Sequence, residues 1–418
     1  MSPAARGTEH VTCLGCGCAC DDIAVVVKGG RIAEAKNACP LGVAWFADGA
    51  VPTATRVSGR PGTLDEALEA AATLLAAAQR PLVYLAGDIS CETQRDAVAI
   101  ADRLHAAVDS LAATAGPGIL AAQRRGRATA TLGELRQRAD LVVFWGVDPG
   151  VRYPRYASRY AVSPSGLEAP GGRQSRRVIA VDIGASRGPA DADARVVIPA
   201  DQEVDALGVM RSTVAGRALS AAAPFASAAE LAREMSRARY AVLVADGEPE
   251  PGAGDPDRAE ALISLAQALN GPTRCALSTL RGGGNRSGAE AVLTWQTGFP
   301  FGVDFAPGFP TYRPHAGAAE LLASGAVDRA LVVGAPHTLP DPVARALRRL
   351  ASVAIGPRAS AATFTPAVAV DTGVAGIHEG GTAFRMDDVP LPLRPALAES
   401  AVPSAAATVR RLRARLGA

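Results

Sequence analysis

Apolar residues fall along this chain in two alternating rhythms. Short unbroken runs recur at Leu82–Ala86, Leu141–Trp145, Val178–Asp182, Tyr240–Ala245, Arg274–Leu277, Arg329–Val333 and Ser352–Ile355. Their length and β-branched content suit strands buried on both faces. Between them lie longer stretches that predict helices over Leu64–Ala78, Glu92–Leu104, Leu132–Arg138, Arg258–Leu269, Ala318–Leu322 and Pro342–Leu350. Thr63 is placed to cap the first of these, Asp65 and Glu66 stand in its first turn, and Pro81 stops it. After a short apolar segment at Ala106–Val108, the Gly- and Pro-containing stretch reads as a loop. Such alternation predicts an α/β fold with two Rossmann-like, doubly wound parallel sheets in tandem. There is no GxGxxG fingerprint to indicate a dinucleotide of the NAD type. The N-terminal region is different: two short runs, Ile23–Val27 and Arg31–Ala35, flank Gly29-Gly30 as a hairpin would. A short helix over Leu41–Phe46 follows. The expected division is 1–57 for a small Cys-rich β module, 58–235 and 236–365 for the two α/β domains, and 366–418 for a late loop and terminal helix. Segments 163–174 and 248–256 read as surface loops.

Composition narrows the function classes. The 418 residues carry a net charge of +2 with 20% charged residues, so bulk electrostatics gives no reason to expect nucleic acid or a membrane surface as partner. No run of apolar residues is long enough to span a bilayer. Lys28 and Lys36 are the only lysines, and the Arg pairs 124–125, 176–177 and 348–349 read as solvated surface. The first ten residues have no apolar signal core, which leads us to expect the cytoplasm.

The cysteines carry the chemistry. Five of seven lie between Cys13 and Cys39, and Cys13, Cys16, Cys20 and Cys39 form the spacing C-x2-C-x3-C-x18-C. Four thiolates so arranged suit an iron–sulfur cluster of the 4Fe–4S type, with three ligands from one loop and the fourth after the hairpin. Gly15 and Gly17 would let that loop fold back on itself. Zinc ligands more often come as two close pairs, and disulfides need an oxidising compartment; both remain alternatives. Cys18 is the spare thiol. None of His10, His105, His315, His337 and His378 falls in an HxH or HExxH pattern, and His378 is the best functional candidate among them. Trp295, Phe299, Phe301 and Phe305 are expected to pack in core or interface.

Three segments carry a family resemblance: Cys13-Leu-Gly-Cys16 through Cys20-Asp-Asp-Ile23 with Asn37-Ala-Cys39; Thr294-Trp-Gln-Thr-Gly-Phe-Pro-Phe-Gly-Val-Asp-Phe305; and Glu379-Gly-Gly-Thr-Ala-Phe-Arg-Met-Asp387. Over nearly its whole length the chain resembles the B subunit of formylmethanofuran dehydrogenase, within the molybdopterin-type oxidoreductases. In active members, a Cys or selenocysteine followed by His-Gly-Pro binds tungsten or molybdenum. The matching stretch here is Thr114-Ala115-Gly116-Pro117, which implies loss of the metal ligand and of its neighbouring His. Cys91 is the alternative ligand. By the same resemblance Gly283 stands where active members tend to carry His, and Pro40 stands in a region where they carry a basic residue. Arg281 and Arg385 are the residues implied for pterin phosphates.

This combination is most similar to the B subunit of the bacterial formyltransferase/hydrolase complex. That assembly moves a formyl group from formyl-tetrahydromethanopterin to a methanofuran-like carrier and releases formate. The resemblance implies a structural, redox-inactive subunit with amidohydrolase-like and formyltransferase-like partners, no catalytic residue of its own, and no tungsten or molybdenum pterin. The competing expectation is an active tungsten or molybdenum dehydrogenase subunit.

Overall fold

The structure is a computed structural model that describes residues 6–217, 225–248 and 257–417. Its contacts divide the chain into two units. The first comprises Met1–Thr114, Gly283–Arg385 and Pro390–Ala418; the second comprises Ala115–Gly282 with Met386–Val389.

Both units are α/β, as the alternating pattern predicts. In the first, a nine-stranded sheet has five parallel strands at its centre, in the spatial order Ala107–Ser110, Pro81–Leu85, Arg329–Val333, Ala351–Gly356 and Val368–Asp371. Antiparallel pairs finish both edges. Period-two alternation sends Val83, Leu85, Leu331 and Val333 to one face and Leu82, Tyr84, Ala330 and Val332 to the other. Helices Leu64–Ala76, Cys91–Arg103, Arg286–Thr297 and Ala405–Arg415 cover the first face; Ala318–Ala323 and Asp341–Leu347 cover the second. The Thr63 cap forms as a full capping box with Glu66.

The second unit has a five-stranded, wholly parallel sheet ordered Ala194–Ile198, Arg177–Ile183, Leu141–Trp145, Ala241–Asp246 and Cys275–Leu280. Its core is built from strand residues such as Val143 and Leu243 and from Leu207, Met210, Leu231 and Leu265 of the flanking helices. At the carboxyl ends of its two central neighbours, Glu203 is 1% exposed and accepts from Trp145 Nε1 and Arg258 Nε, each at 2.7 Å.

Tandem order along the chain is not what forms. Strands before residue 115 pair with strands after residue 328, and the second unit interrupts the first in sequence. The contacts therefore do not divide at 57/58, 235/236 or 365/366. Hydropathy rhythm is a short-range property, whereas strand neighbours are chosen by long-range packing. The expected loop after Val108 contains a helix, Gly116–Arg125, with Pro117 in its first turn, where a missing N–H costs nothing. Arg176 is another departure from expectation. It is 3% exposed and donates to the carbonyls of Val162 at 3.1 Å and Arg136 at 2.6 Å, and also to that of Pro164, so it anchors segment 163–174 from within. Of the expected loop at 248–256, residues 249–256 lie outside the described residues.

The N-terminal module is a three-stranded antiparallel sheet of Arg6–Val11, Ile23–Lys28 and Arg31–Lys36. Gly29 and Gly30 turn the hairpin with φ of +57° and +74°, a conformation that favours glycine.

Candidate metal centre

The loop from Cys13 to Cys20 joins the first two strands of that module. It is closed by the Cys13 N–H donating to Cys20 O at 2.9 Å and the Ala19 N–H donating to Cys16 O at 3.2 Å. The left-handed residue in the loop is Ala19, with φ of +39°. Gly15 does not reverse the chain with a positive φ; it lies in a crowded place, where a Cβ would stand 3.1 Å from Trp45 Cβ and 3.2 Å from Leu41 O. Cys39 caps helix Pro40–Phe46, and Pro40 occupies the first turn.

The four thiols sit at the same end of the module. A Cβ built on Gly42 would be 3.4 Å from Cys13 Sγ and 3.9 Å from Cys39 Sγ, so both sulfurs border one small space. Backbone donors point at them: Gly15 N–H to Cys13 Sγ at 3.5 Å and Gly42 N–H to Cys39 Sγ at 3.4 Å. Cys13 and Cys20 are buried, while Cys16 and Cys39 are half-buried. Burial pushes the Cys13 thiol far above its ordinary value; the Gly15 N–H works against this, and charge on Cys16, Cys20 and Cys39 adds to it. Cys18, fully buried, hydrogen-bonds to Cys16 and is raised too. A metal ion bound among such thiols would deprotonate them.

Among the described residues, no three His, Cys, Asp or Glu side chains close around a single point as a lone ion requires. A cuboidal cluster spreads its thiolates more widely than one ion does. Cys13, Cys16 and Cys20 of the loop and Cys39 at the start of helix Pro40–Phe46, with N–H donors to two of the four, are the residues that would hold such a group.

The other sequence candidates resolve individually. Thr114 lies within a tight turn spanning Leu111–Ala115; its hydroxyl donates to Leu111 O at 2.7 Å and accepts from Arg286 Nη1 at 3.3 Å. Ala115 is buried. Cys91 lies in the hydrophobic core of the first unit with Ile89, Ala97 and Val98. Asn285 Nδ2 donates to its sulfur at 3.6 Å, and burial pushes its thiol up to about 12. His378 is 8% exposed and wholly occupied by backbone: Nδ1 accepts from Val374 N–H at 3.1 Å and Nε2 donates to Gly49 O at 2.8 Å. It is a structural histidine. Arg281 is buried 3.8 Å from Glu248, and Arg385 is buried as well. Asp388, three residues after Arg385, pairs with Arg127 at 2.7 Å. Phe301 and Phe305 are core residues, but Trp295 is 52% exposed, with its ring centroid 6.1 Å from that of Phe384.

Sequence reading missed three residues that frame these groups. Asn285, left-handed with φ of +63°, accepts from Phe384 N–H at 2.9 Å and donates to Ile89 O at 2.9 Å, tying the late loop to the start of helix Cys91–Arg103. Asp88, also left-handed, is 6% exposed and accepts from Trp45 Nε1 at 3.2 Å. Its carboxyl is raised, chiefly by burial, with the Trp45 bond and the nearby His337 charge opposing. Only the tolerance of Asn and Asp for the left-handed region hinted at either residue. Nothing in the sequence singled out Trp45.

No family model matches the chain. Among curated proteins, the B subunit of the tungsten-containing formylmethanofuran dehydrogenase 2 of Methanocaldococcus jannaschii is 31% identical over 404 residues, covering 92% of this chain and 93% of the relative. Its counterpart from Methanococcus maripaludis is 30% identical with the same coverage. The B subunit of the formyltransferase/hydrolase complex Fhc of Methylorubrum extorquens is 30% identical over 338 residues, covering 78% of this chain and 87% of the relative. Among solved structures, the X-ray crystal structure of that FhcABCD complex with methylofuran aligns with a TM-score of 0.71 at 28% identity, covering 87% of this chain and 98% of the matched chain.

Proposed function

The chain belongs to the family of formylmethanofuran dehydrogenase B subunits, and from that premise we propose that it is the structural, redox-inactive subunit of a formyltransferase/hydrolase assembly. Identity alone does not choose between the tungsten enzymes and the Fhc protein, at 31% and 30%. The observation that carries the choice is Thr114. By resemblance it stands at the metal-ligand position, and its hydroxyl is already engaged with Leu111 O and Arg286. A neutral hydroxyl held in this way is a poor fit for tungsten or molybdenum, which take a soft thiolate there. Ala115 beside it has no proton to move. Cys91 is sealed in an apolar core with its proton held. At Gly283, where the resemblance places a His, a Cβ would lie 2.1 Å from Leu14 O, so no side chain fits without moving the thiol loop.

On this reading the formyl transfer and the hydrolysis that yields formate are performed by formyltransferase-like and amidohydrolase-like partners, in tetrahydromethanopterin-linked one-carbon metabolism. This chain supplies the framework. Cys13, Cys16, Cys20 and Cys39 would hold a 4Fe–4S cluster, which when bound would cross-link the N-terminal module in a structural role. Should a pterin bind, Arg281 and Arg385 are the cations assigned to its phosphates. Among the described residues no helix is long and apolar enough to cross a membrane.

The test is metal analysis of the complex purified from its host, with identification of the chains that accompany this one. The expected result is formyltransferase-like and amidohydrolase-like chains with tungsten and molybdenum well below one per complex. Stoichiometric tungsten or molybdenum on this chain would overturn the reading in favour of an active dehydrogenase.

A further inference from the structure

The thiol loop is held by backbone about 270 residues away in sequence, at Gly283 and Gly284. A Cβ on Gly283 would stand 2.1 Å from Leu14 O, 2.7 Å from Cys16 N and 2.8 Å from Cys16 Cα. Real Cβ atoms do not approach backbone so closely, so this contact exists only because residue 283 has no side chain. The next residue continues the clamp: Gly284 N–H donates to Leu14 O at 2.8 Å, with φ of +72°. Gly284 O in turn accepts from Asp88 N–H at 3.0 Å, and the Asp88 carboxylate accepts from Trp45 Nε1 at 3.2 Å. Trp45 Cβ packs 3.1 Å from the Cβ position of Gly15, back in the thiol loop. The contacts form a closed ring: thiol loop, Gly283–Gly284, Asp88, Trp45, thiol loop.

We infer that Gly283 is a positioning residue for the candidate cluster, fixing the backbone of Cys16 so that its sulfur meets the other three thiols. This rests on reading Cys13, Cys16, Cys20 and Cys39 as ligands. Ligand-orienting neighbours of metal sites commonly change metal affinity about 10–100-fold when altered. Gly283→Ala pushes directly on Leu14 and Cys16, and Trp45→Phe removes the indole donor that closes the ring. Gly208 lies in helix Glu203–Val214 with nothing within 4 Å of its Cβ position, so Gly208→Ala is the control.

The experiment reconstitutes the full-length chain, and its native complex, anaerobically with iron and sulfide. It measures iron per chain, visible absorbance and the rate of iron loss to a chelator. Expected is iron in the wild type and in Gly208→Ala, with loss from Gly283→Ala faster by about 10–100-fold while circular dichroism stays native. Iron retained equally by Gly283→Ala and the wild type overturns the proposal and leaves the ligand reading intact. A wild type that takes up no iron overturns the ligand reading, and this proposal with it. If Gly283→Ala does not fold, Trp45→Phe decides: faster iron loss supports the clamp, and an unchanged rate overturns it.

Discussion

Cys16 and His378 show what single residues contribute here. Cys16 is half-buried, hydrogen-bonded by Cys18, and closely approached along its backbone by Gly283. On the proposed ligand set, Cys16→Ala would remove one of four ligands, so iron content and the charge-transfer absorbance near about 400 nm should both be lost, while Cys18→Ala keeps both. Absorbance spectra and iron assays of the two variants check this. His378 has the opposite character, a buried side chain with both nitrogens given to backbone. Burial holds its pKa below the ordinary value, opposed by the bond to Gly49. The unfolded chain therefore binds a proton that the folded chain refuses. Its stabilising contribution is complete above about pH 6.5 and is lost as the pH falls toward the lowered folded value. Thermal midpoints should drop on acidification from about pH 7.5 to 5.5, and drop less in His378→Gln. The neighbouring Glu379 carboxyl is raised by burial, a trend that favours lower pH, so the comparison with the variant isolates the histidine.

At the scale of elements, helix ends and buried pairs are the sensitive points. Helix Ala405–Arg415 begins at Ser404, whose side chain accepts from Ala407 N–H at 3.2 Å and donates to Glu379 Oε2 at 2.6 Å. Farther along the helix, Arg413 and Arg410 pair with the largely buried Asp96 at 2.9 and 3.3 Å. Ser404→Ala removes the cap and one bond to Glu379, and should cost about 1–2 kcal/mol in denaturant titration. In the second unit Glu203 joins Trp145 and Arg258 at the ends of the central strands. Glu203→Ala strands a guanidinium that is 15% exposed and an indole donor, and should cost about 3–5 kcal/mol by the same measurement. Much of this was readable beforehand. The capping box at Thr63 and the strands Leu141–Trp145 and Arg329–Val333 follow from local pattern. Helix Gly116–Arg125 did not, because Gly-Pro is as compatible with a helix start as with a loop.

For the whole molecule, separate hydrophobic cores in the two units make an all-or-none transition unexpected. Calorimetry should give a van't Hoff enthalpy below the calorimetric one, and iron loading should raise the transition of the unit that carries the cysteines. A single two-state transition unaffected by iron would contradict this.

By itself the sequence determined the central buried strands, several of the helices between them, the parallel pairing at the centre of the two large sheets, and the family. Each of these depends on residue type and spacing over a few tens of residues, where periodicity and ligand spacing act. Tertiary structure decided what long-range contact decides. It paired the strand at Pro81 with the strand at Arg329 and so divided the chain into interrupted units. It sealed Cys91 in a core, committed His378 to backbone, and buried Arg176 among carbonyls. It also set Gly283 against Cys16, where the missing side chain becomes room for the thiol loop. Proximity between residues hundreds of positions apart leaves no local signature, because it arises only when the sheets and their helices have packed.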